Sequence, residues 1–218
     1  MNFSNIKFLF FDLDGTLTDS GKGISRCVAH ALEKQGIREN CPEKLHRFVG
    51  PPLMQSFSKY YHLSPEACVQ AIEDFRERYV RIGIFENELY PKVKETLEAL
   101  QSRGYVLAVA TSKPKVFAKK VLEFFEIDRY FSYIEGPPDD EQGTKADVLR
   151  EVLLQAKPKD LSEVIMIGDT IFDKVGARET NLAFLACDYG YGLAEDLSDA
   201  EYHIECFEEL LNIFPGTK

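Results

Sequence analysis

At 218 residues, 44% hydrophobic and 28% charged, the chain reads as globular, with apolar material for one substantial core or a core carrying a smaller insert. Its 36 acidic and 26 basic residues give a net charge of -10, which repels nucleic-acid backbones, and no apolar run approaches the ~20 residues needed to span a bilayer. Nucleic acid and membrane are therefore not expected partners, and a small anionic substrate would need a locally positive pocket and a bound cation. The apolar run after Lys7 is cut short by Asp12 and Asp14, so it lacks the core of a secretory signal, and a cytoplasmic location is expected. Cys27, Cys41, Cys68, Cys187 and Cys206 are odd in number and never in CxxC spacing. They suggest buried thiols rather than disulfides or a zinc site.

In chain order, "FLFFDLD" is the first predicted strand, apolar on both faces as a strand covered by helices must be. From Leu17 to about Asn87 only helical patterns follow, at "GISRCVAHALEKQG", "PEKLHRFVG" and "SPEACVQAIEDFRERYVRIG". In the last, Ser64 is the expected cap, Pro65 suits the first turn and Glu66 favours the positive end of the dipole. Phe75, Tyr79 and Ile82 recur at helical spacing and read as core of this insert. "YVLAVATS" and "VIMIGD" are further strands apolar on both faces. Between them lie the helical "PKVFAKKVLEFFEI", a weaker strand near "YFSYIEG", an acidic loop "PPDDEQ" expected in solvent, and the helical "TKADVLREVLLQAK". "NLAFLACDYG" offers a fifth strand, "EYHIECFEELLNIF" an edge segment and closing helix, and "PGTK" a disordered end. This β-α-β alternation predicts an α/β fold: a Rossmann-like, doubly wound parallel sheet over residues 1–16 and 88–218, with an all-helical cap inserted at 17–87.

Polar groups gather where the strands end. The first closes on Asp12-Leu13-Asp14-Gly15-Thr16, the second on Thr111-Ser112-Lys113 and the third on Gly168-Asp169-Thr170, with Asp173 just beyond; Lys145 opens a helix. In open α/β sheets, ligands bind beyond the carboxyl ends of the strands, so these groups can share one crevice. Asp12 and Asp14 start on one side of an extended chain, roughly 6 to 7 Å apart at Cα. Gly15 then lets the backbone curl into an anion-binding concavity. A carboxylate can attack phosphorus there only if a cation cancels the repulsion, and Mg²⁺ suits oxygen ligands that Asp169 and Asp173 can extend. Thr111, the Ser112 N–H and the Lys145 ammonium are fitting donors to a transferring phosphoryl group. A covalent aspartyl-phosphate would split the reaction into easier steps, with the second aspartate protonating the leaving alkoxide and later taking a proton from water. Lys113 rivals Lys145 as the phosphate cation, and Lys145 is preferred. Arg47, beside "FVGPPL", is a candidate cap contact to substrate, and the four histidines form no catalytic pattern.

Taken together, "DLDGT", Thr111, Lys145 and "GDTIFD" resemble the four motifs of the haloacid dehalogenase-like hydrolases, in their phosphoglycolate phosphatase-like branch with a helical cap after the first motif. The resemblance implies Asp12 as nucleophile, Asp14 as general acid and base, and Thr111 and Lys145 on the phosphate. It also implies Mg²⁺ held by Asp12, the Asp14 carbonyl and Asp169, with Asp173 supporting the metal or Lys145 from behind. Dehalogenating relatives usually lack an acid two residues after the nucleophile, so Asp14 favours a phosphatase. "VGPPLMQSF" and "FRERYVRIGIFENELYP" also look like segments of bacterial phosphoglycolate phosphatases and 5′-nucleotidases. The chain departs from many relatives in following Lys145 with "ADVL" rather than a proline-rich segment. The expected activity is Mg²⁺-dependent hydrolysis of small phosphate monoesters, phosphoglycolate phosphatase-like, with a 5′-nucleotidase or a phosphomutase as alternatives. A phospho-receiver signalling module shares the residue types, but its acidic pair comes first and its phosphorylated Asp on a later strand, and it needs no helical insert.

Overall fold

The computed structural model describes residues 3–138 and 143–216. The acidic stretch of "PPDDEQ" after Pro138 and the last two residues of "PGTK" lie outside these. In chain order the elements are β1 (Phe8–Phe11), β2 (Thr18–Asp19), α1 (Gly21–Lys34), α2 (Pro42–His46), α3 (Leu53–Tyr61), α4 (Pro65–Tyr79), β3 (Glu88–Leu89), α5 (Val93–Ser102), β4 (Val106–Ala110) and α6 (Lys115–Phe124). There follow β5 (Tyr133–Glu135), α7 (Lys145–Ala156), β6 (Val164–Gly168), α8 (Ile171–Glu179), β7 (Ala183–Cys187), α9 (Ala194–Leu197), β8 (Tyr202–Ile204) and α10 (Leu210–Ile213). The chain divides into two compact units, Met1–Thr18 with Leu89–Lys218, and Asp19–Glu88.

The first unit is built on a six-stranded sheet in the order β5-β4-β1-β6-β7-β8, with every pairing parallel. All the strands read from apolar runs are present, including the weak one at β5 and the edge at β8. Successive side chains of a strand face opposite ways, so each face of β1 needs its own cover. Phe10 joins Val148, Leu149 and Val152 of α7 and Ala177 of α8 in one buried cluster. Phe11 turns the other way, its ring 6.2 Å from Phe131 and 5.7 Å from Phe207. The strand order reverses direction around β1: β4 and β5 are laid on one side, β6 to β8 on the other. In open α/β sheets such a switch point is where ligands bind, beyond the carboxyl ends of the strands.

The second unit holds α1 to α4, its core formed by Cys27, Val28, Ala31, Leu32, Phe57, Cys68 and Ala71 among others. The Ser64 hydroxyl accepts the Ala67 N–H at 3.2 Å, the expected cap of α4. The structure adds to and departs from the expected pattern in this unit and among the cysteines. Helix α3 falls in "LMQSFSKYY", where no helical pattern was read, because its aromatic and serine residues are weak helix formers and two prolines precede it. The two-residue strand β2, which pairs with β3, falls at the start of the interval expected to be wholly helical. Phe75 and Tyr79 are buried and stacked, centroids 5.2 Å apart. Ile82, however, is 52% exposed, because α4 ends at Tyr79 and the helical spacing stops with it. Of the cysteines, Cys27, Cys68 and Cys187 are buried, whereas Cys41 and Cys206 are only partly so.

Candidate active site

The opening residues of the site come from the end of β1. The Asp12 N–H still bonds the Ile167 carbonyl at 2.9 Å, prolonging the pairing with β6, and then the chain turns. Leu17 and Thr18 both donate to the Leu13 carbonyl, at 2.9 and 3.0 Å, while Gly15 donates to Thr18 at 2.8 Å. Gly15 sits at φ +89°, and a Cβ there would overlap the Asp169 carboxylate. Only glycine allows both the left-handed turn and this approach. The turn leaves Asp12 and Asp14 nearly inaccessible, 3% and 6% exposed.

From the neighbouring strands come the partners. The register Phe11↔Val109 carries β4 alongside β1, so Ala110 and Thr111 follow beside Asp12 and Leu13. Thr111 is buried, and its hydroxyl accepts the Lys113 N–H at 3.2 Å, fixing the backbone around Ser112. Lys145 is held at the start of α7 by a capping box, with the Thr144 hydroxyl on the Asp147 N–H and the Asp147 carboxylate on the Thr144 N–H. Its ammonium lies 2.8 Å from Asp12 Oδ1, 2.8 Å from Asp173 Oδ1 and 3.0 Å from the Ala110 carbonyl. Of the two lysines weighed in the sequence, Lys145 is the one beside Asp12. Lys113 binds elsewhere, its ammonium 2.6 Å from Asp14 Oδ2.

Asp169 follows β6 and accepts two hydrogen bonds, from the Thr16 hydroxyl to Oδ1 at 3.1 Å and from the Tyr191 N–H to Oδ2 at 2.8 Å. Asp173 closes a second capping box, its Oδ2 accepting the Thr170 N–H at 3.0 Å and the Thr170 hydroxyl at 2.8 Å. The loop after β7 was not singled out in the sequence, yet it supplies Tyr191 and also Tyr189, whose hydroxyl donates to the Thr16 carbonyl at 2.8 Å. Backbone donors carry no side-chain signature, although "DYGYG" directly after a strand is a cue of the same kind as "DLDGT". Arg47 lies in the second unit, exposed, its guanidinium carbon 5.8 Å from the Tyr60 ring centroid.

Burial raises the Asp12 carboxyl to about 6, with the Lys145 ammonium opposing and the charges of Asp173 and Asp14 adding. Asp169 is held well above the ordinary carboxylate range, by burial first and then by the charges of Asp173 and Asp12. Burial works against the Lys145 ammonium, but Asp12 and Asp173 outweigh it and keep that group firmly protonated. Carboxylate oxygens of Asp12, Asp169 and Asp173 lie within 4.8 Å of one another. Three carboxylates against one ammonium leave this cluster short of positive charge. A divalent cation with oxygen ligands fits that deficit and donor set. Asp173 is held by Lys145 on Oδ1 and by Thr170 on Oδ2, Asp169 by Thr16 on Oδ1 and the Tyr191 N–H on Oδ2, and Asp12 by Lys145 on Oδ1.

Residues 9–187 match the family described as haloacid dehalogenase-like hydrolase. The chain is 39% identical to a 5′-nucleotidase of Pseudomonas aeruginosa over 87% of its own length and 86% of that protein's. It is 30% identical to a phosphoglycolate phosphatase of Vibrio parahaemolyticus, with 98% of each chain covered. A solved haloacid dehalogenase-like hydrolase from Streptococcus pneumoniae superposes with a TM-score of 0.89 at 34% identity, over 95% of this chain and 98% of that one. The chain belongs to the haloacid dehalogenase-like hydrolase family. The phosphatase names among its relatives agree with the phosphoric monoester hydrolase expected from the motifs.

Proposed function

We propose that this chain is a Mg²⁺-dependent phosphatase of small phosphate monoesters that works through a phosphoryl group carried on Asp12. The observation that supports this most is the convergence of Asp12, Asp169, Asp173 and Lys145, from three separate stretches of chain, in one buried cluster. In this reading an Asp12 oxygen attacks phosphorus and displaces the leaving alkoxide, which takes a proton from Asp14. Asp14 then draws a proton from water as that water attacks the phosphoryl-Asp12 bond. Thr111, the Ser112 N–H and Lys145 hold the phosphoryl oxygens. Asp12, the Asp14 carbonyl and Asp169 would hold the cation, with Asp173 anchoring Lys145. The bound cation would neutralise the carboxylates and polarise the phosphoryl group.

The helical unit is assigned the part of a substrate-selecting cap, with Arg47 as its candidate contact, and the working location is the cytoplasm. Among the described residues no helix is long and apolar enough to cross a membrane. Of the two phosphatase activities named among the relatives, the 5′-nucleotidase of Pseudomonas aeruginosa is 39% identical and the phosphoglycolate phosphatase of Vibrio parahaemolyticus 30%. Nucleoside monophosphates therefore stand beside phosphoglycolate at the head of any substrate panel. Phosphate release should be measured over such a panel with Mg²⁺, then with EDTA, then with Mg²⁺ restored. Release from at least one monoester that stops with chelation and returns with the metal is the expected result; no release from any, or release indifferent to chelation, contradicts it.

A further inference from the structure

Lys113 and Asp14 form a second buried ion pair beside the Lys145 cluster. Their side chains are only 7% and 8% exposed, and their charged atoms lie 2.6 Å apart. Desolvating two charges takes back much of what their attraction provides, so a buried pair is weak evidence of a stability role. The backbone that carries Lys113 is nevertheless fixed from two sides. Its N–H is held by the Thr111 hydroxyl, and its carbonyl packs so closely on Gly136 that a Cβ there would overlap it. The ammonium engages only one Asp14 oxygen, Oδ2; the other, Oδ1, is buried and has no hydrogen-bond partner among the described residues.

A free carboxyl group turns about its last torsion and its two oxygens exchange places. Fixing one oxygen fixes the position of the other. We propose that Lys113 is a positioning residue that holds Asp14 by Oδ2 so that Oδ1 is the atom which exchanges protons during the reaction. The proposal rests on the reading of Asp14 as general acid and base given above. In the first half-reaction the proton leaves Asp14 Oδ1 for the alkoxide oxygen as the P–O bond to it breaks, while the bond from Asp12 to phosphorus forms. In the second, a proton of the attacking water returns to Oδ1 as the water oxygen bonds phosphorus and the Asp12–phosphorus link breaks. Asp14 ends each turnover as it began.

A purely structural lysine would affect all substrates alike, whereas an acid held out of place fails most where the leaving group most needs a proton. The test compares p-nitrophenyl phosphate, whose leaving group departs readily as an anion, with phenyl phosphate and glycerol 2-phosphate. It uses wild type, Lys113→Met, Lys113→Arg and Asp14→Asn, with circular dichroism to confirm folding. Lys113→Met should lose about 10-fold or more in kcat/KM on the alkyl ester beyond its loss on the nitrophenyl ester. Lys113→Arg keeps the charge while moving the donors, and should show the same gradient at smaller size; it also serves if the methionine variant fails to fold. A graded Asp14→Asn with uniform losses in both Lys113 variants overturns the role of Lys113 alone. A uniform Asp14→Asn removes the assignment of Asp14 and this proposal with it.

Discussion

The Lys145 ammonium sits 2.8 Å from Asp12 Oδ1, although 133 residues separate them and both side chains are almost wholly removed from solvent. The same ammonium holds Asp173, so one positive charge serves two buried carboxylates. Removing one member of a buried ion pair is far more damaging than the pair's net worth, because its partner is left charged and unsolvated. Lys145→Met should therefore lower metal-free stability by about 3 to 5 kcal/mol as well as abolish hydrolysis. Urea unfolding in EDTA is the check, and an unchanged midpoint would show that the cluster relaxes without this contact.

The elevated Asp12 and Asp169 carboxyls would make the proposed metal binding depend on pH. Both hold protons that a cation must displace, so Mg²⁺ affinity should rise with pH through about 6, where Asp12 titrates, and protons should be released on binding. The sign for folding runs the other way without metal. A carboxyl whose folded value exceeds the unfolded 3.8 binds more protons when folded, so its contribution is lost as pH rises from about 4 towards 6. Calorimetric titration with Mg²⁺ in two buffers of different ionisation enthalpy, at pH 6 and pH 8, measures the release; identical apparent heats and affinities under all four conditions would contradict it.

Tyr189 ties the loop after β7 to the turn after β1 through the Thr16 carbonyl, and Thr16 in turn donates to Asp169. Tyr189→Phe removes one hydroxyl and leaves the ring against Tyr90, 4.7 Å between centroids. The loss should be about 0.5 to 1.5 kcal/mol of stability together with weaker Mg²⁺ binding. Thermal melts with and without Mg²⁺ separate the two effects. A variant that melts and binds as wild type would mean that the loop holds Asp169 through Tyr191 alone.

Much of the fold was legible because the central strands are apolar on both faces: "FLFF", "VLAVA" and "VIMIG" announce a covered parallel sheet, and the helical interval after the first announces the insert. Asp12, Thr111, Lys145 and Asp169 could be picked out because each stands where an apolar run or helix begins or ends. Lys113 also stands there, yet its partner could not be read, since sequence does not say which of two nearby lysines reaches which of two nearby aspartates. The hydrogen bond from the Tyr191 backbone to Asp169 was equally hidden. Helix α3 and the short β2 were missed because their patterns are weak and their pairing is set by tertiary context.

The decisive chemical feature is which atom takes the phosphoryl group. Acid-quenched samples from early turnover, digested and sequenced by tandem mass spectrometry for wild type and Asp12→Asn, address it directly. A phosphoryl adduct on Asp12 in wild type, with neither adduct nor turnover in a folded Asp12→Asn, is the predicted result. An adduct on another side chain, or hydrolysis by Asp12→Asn at the wild-type rate, would contradict it.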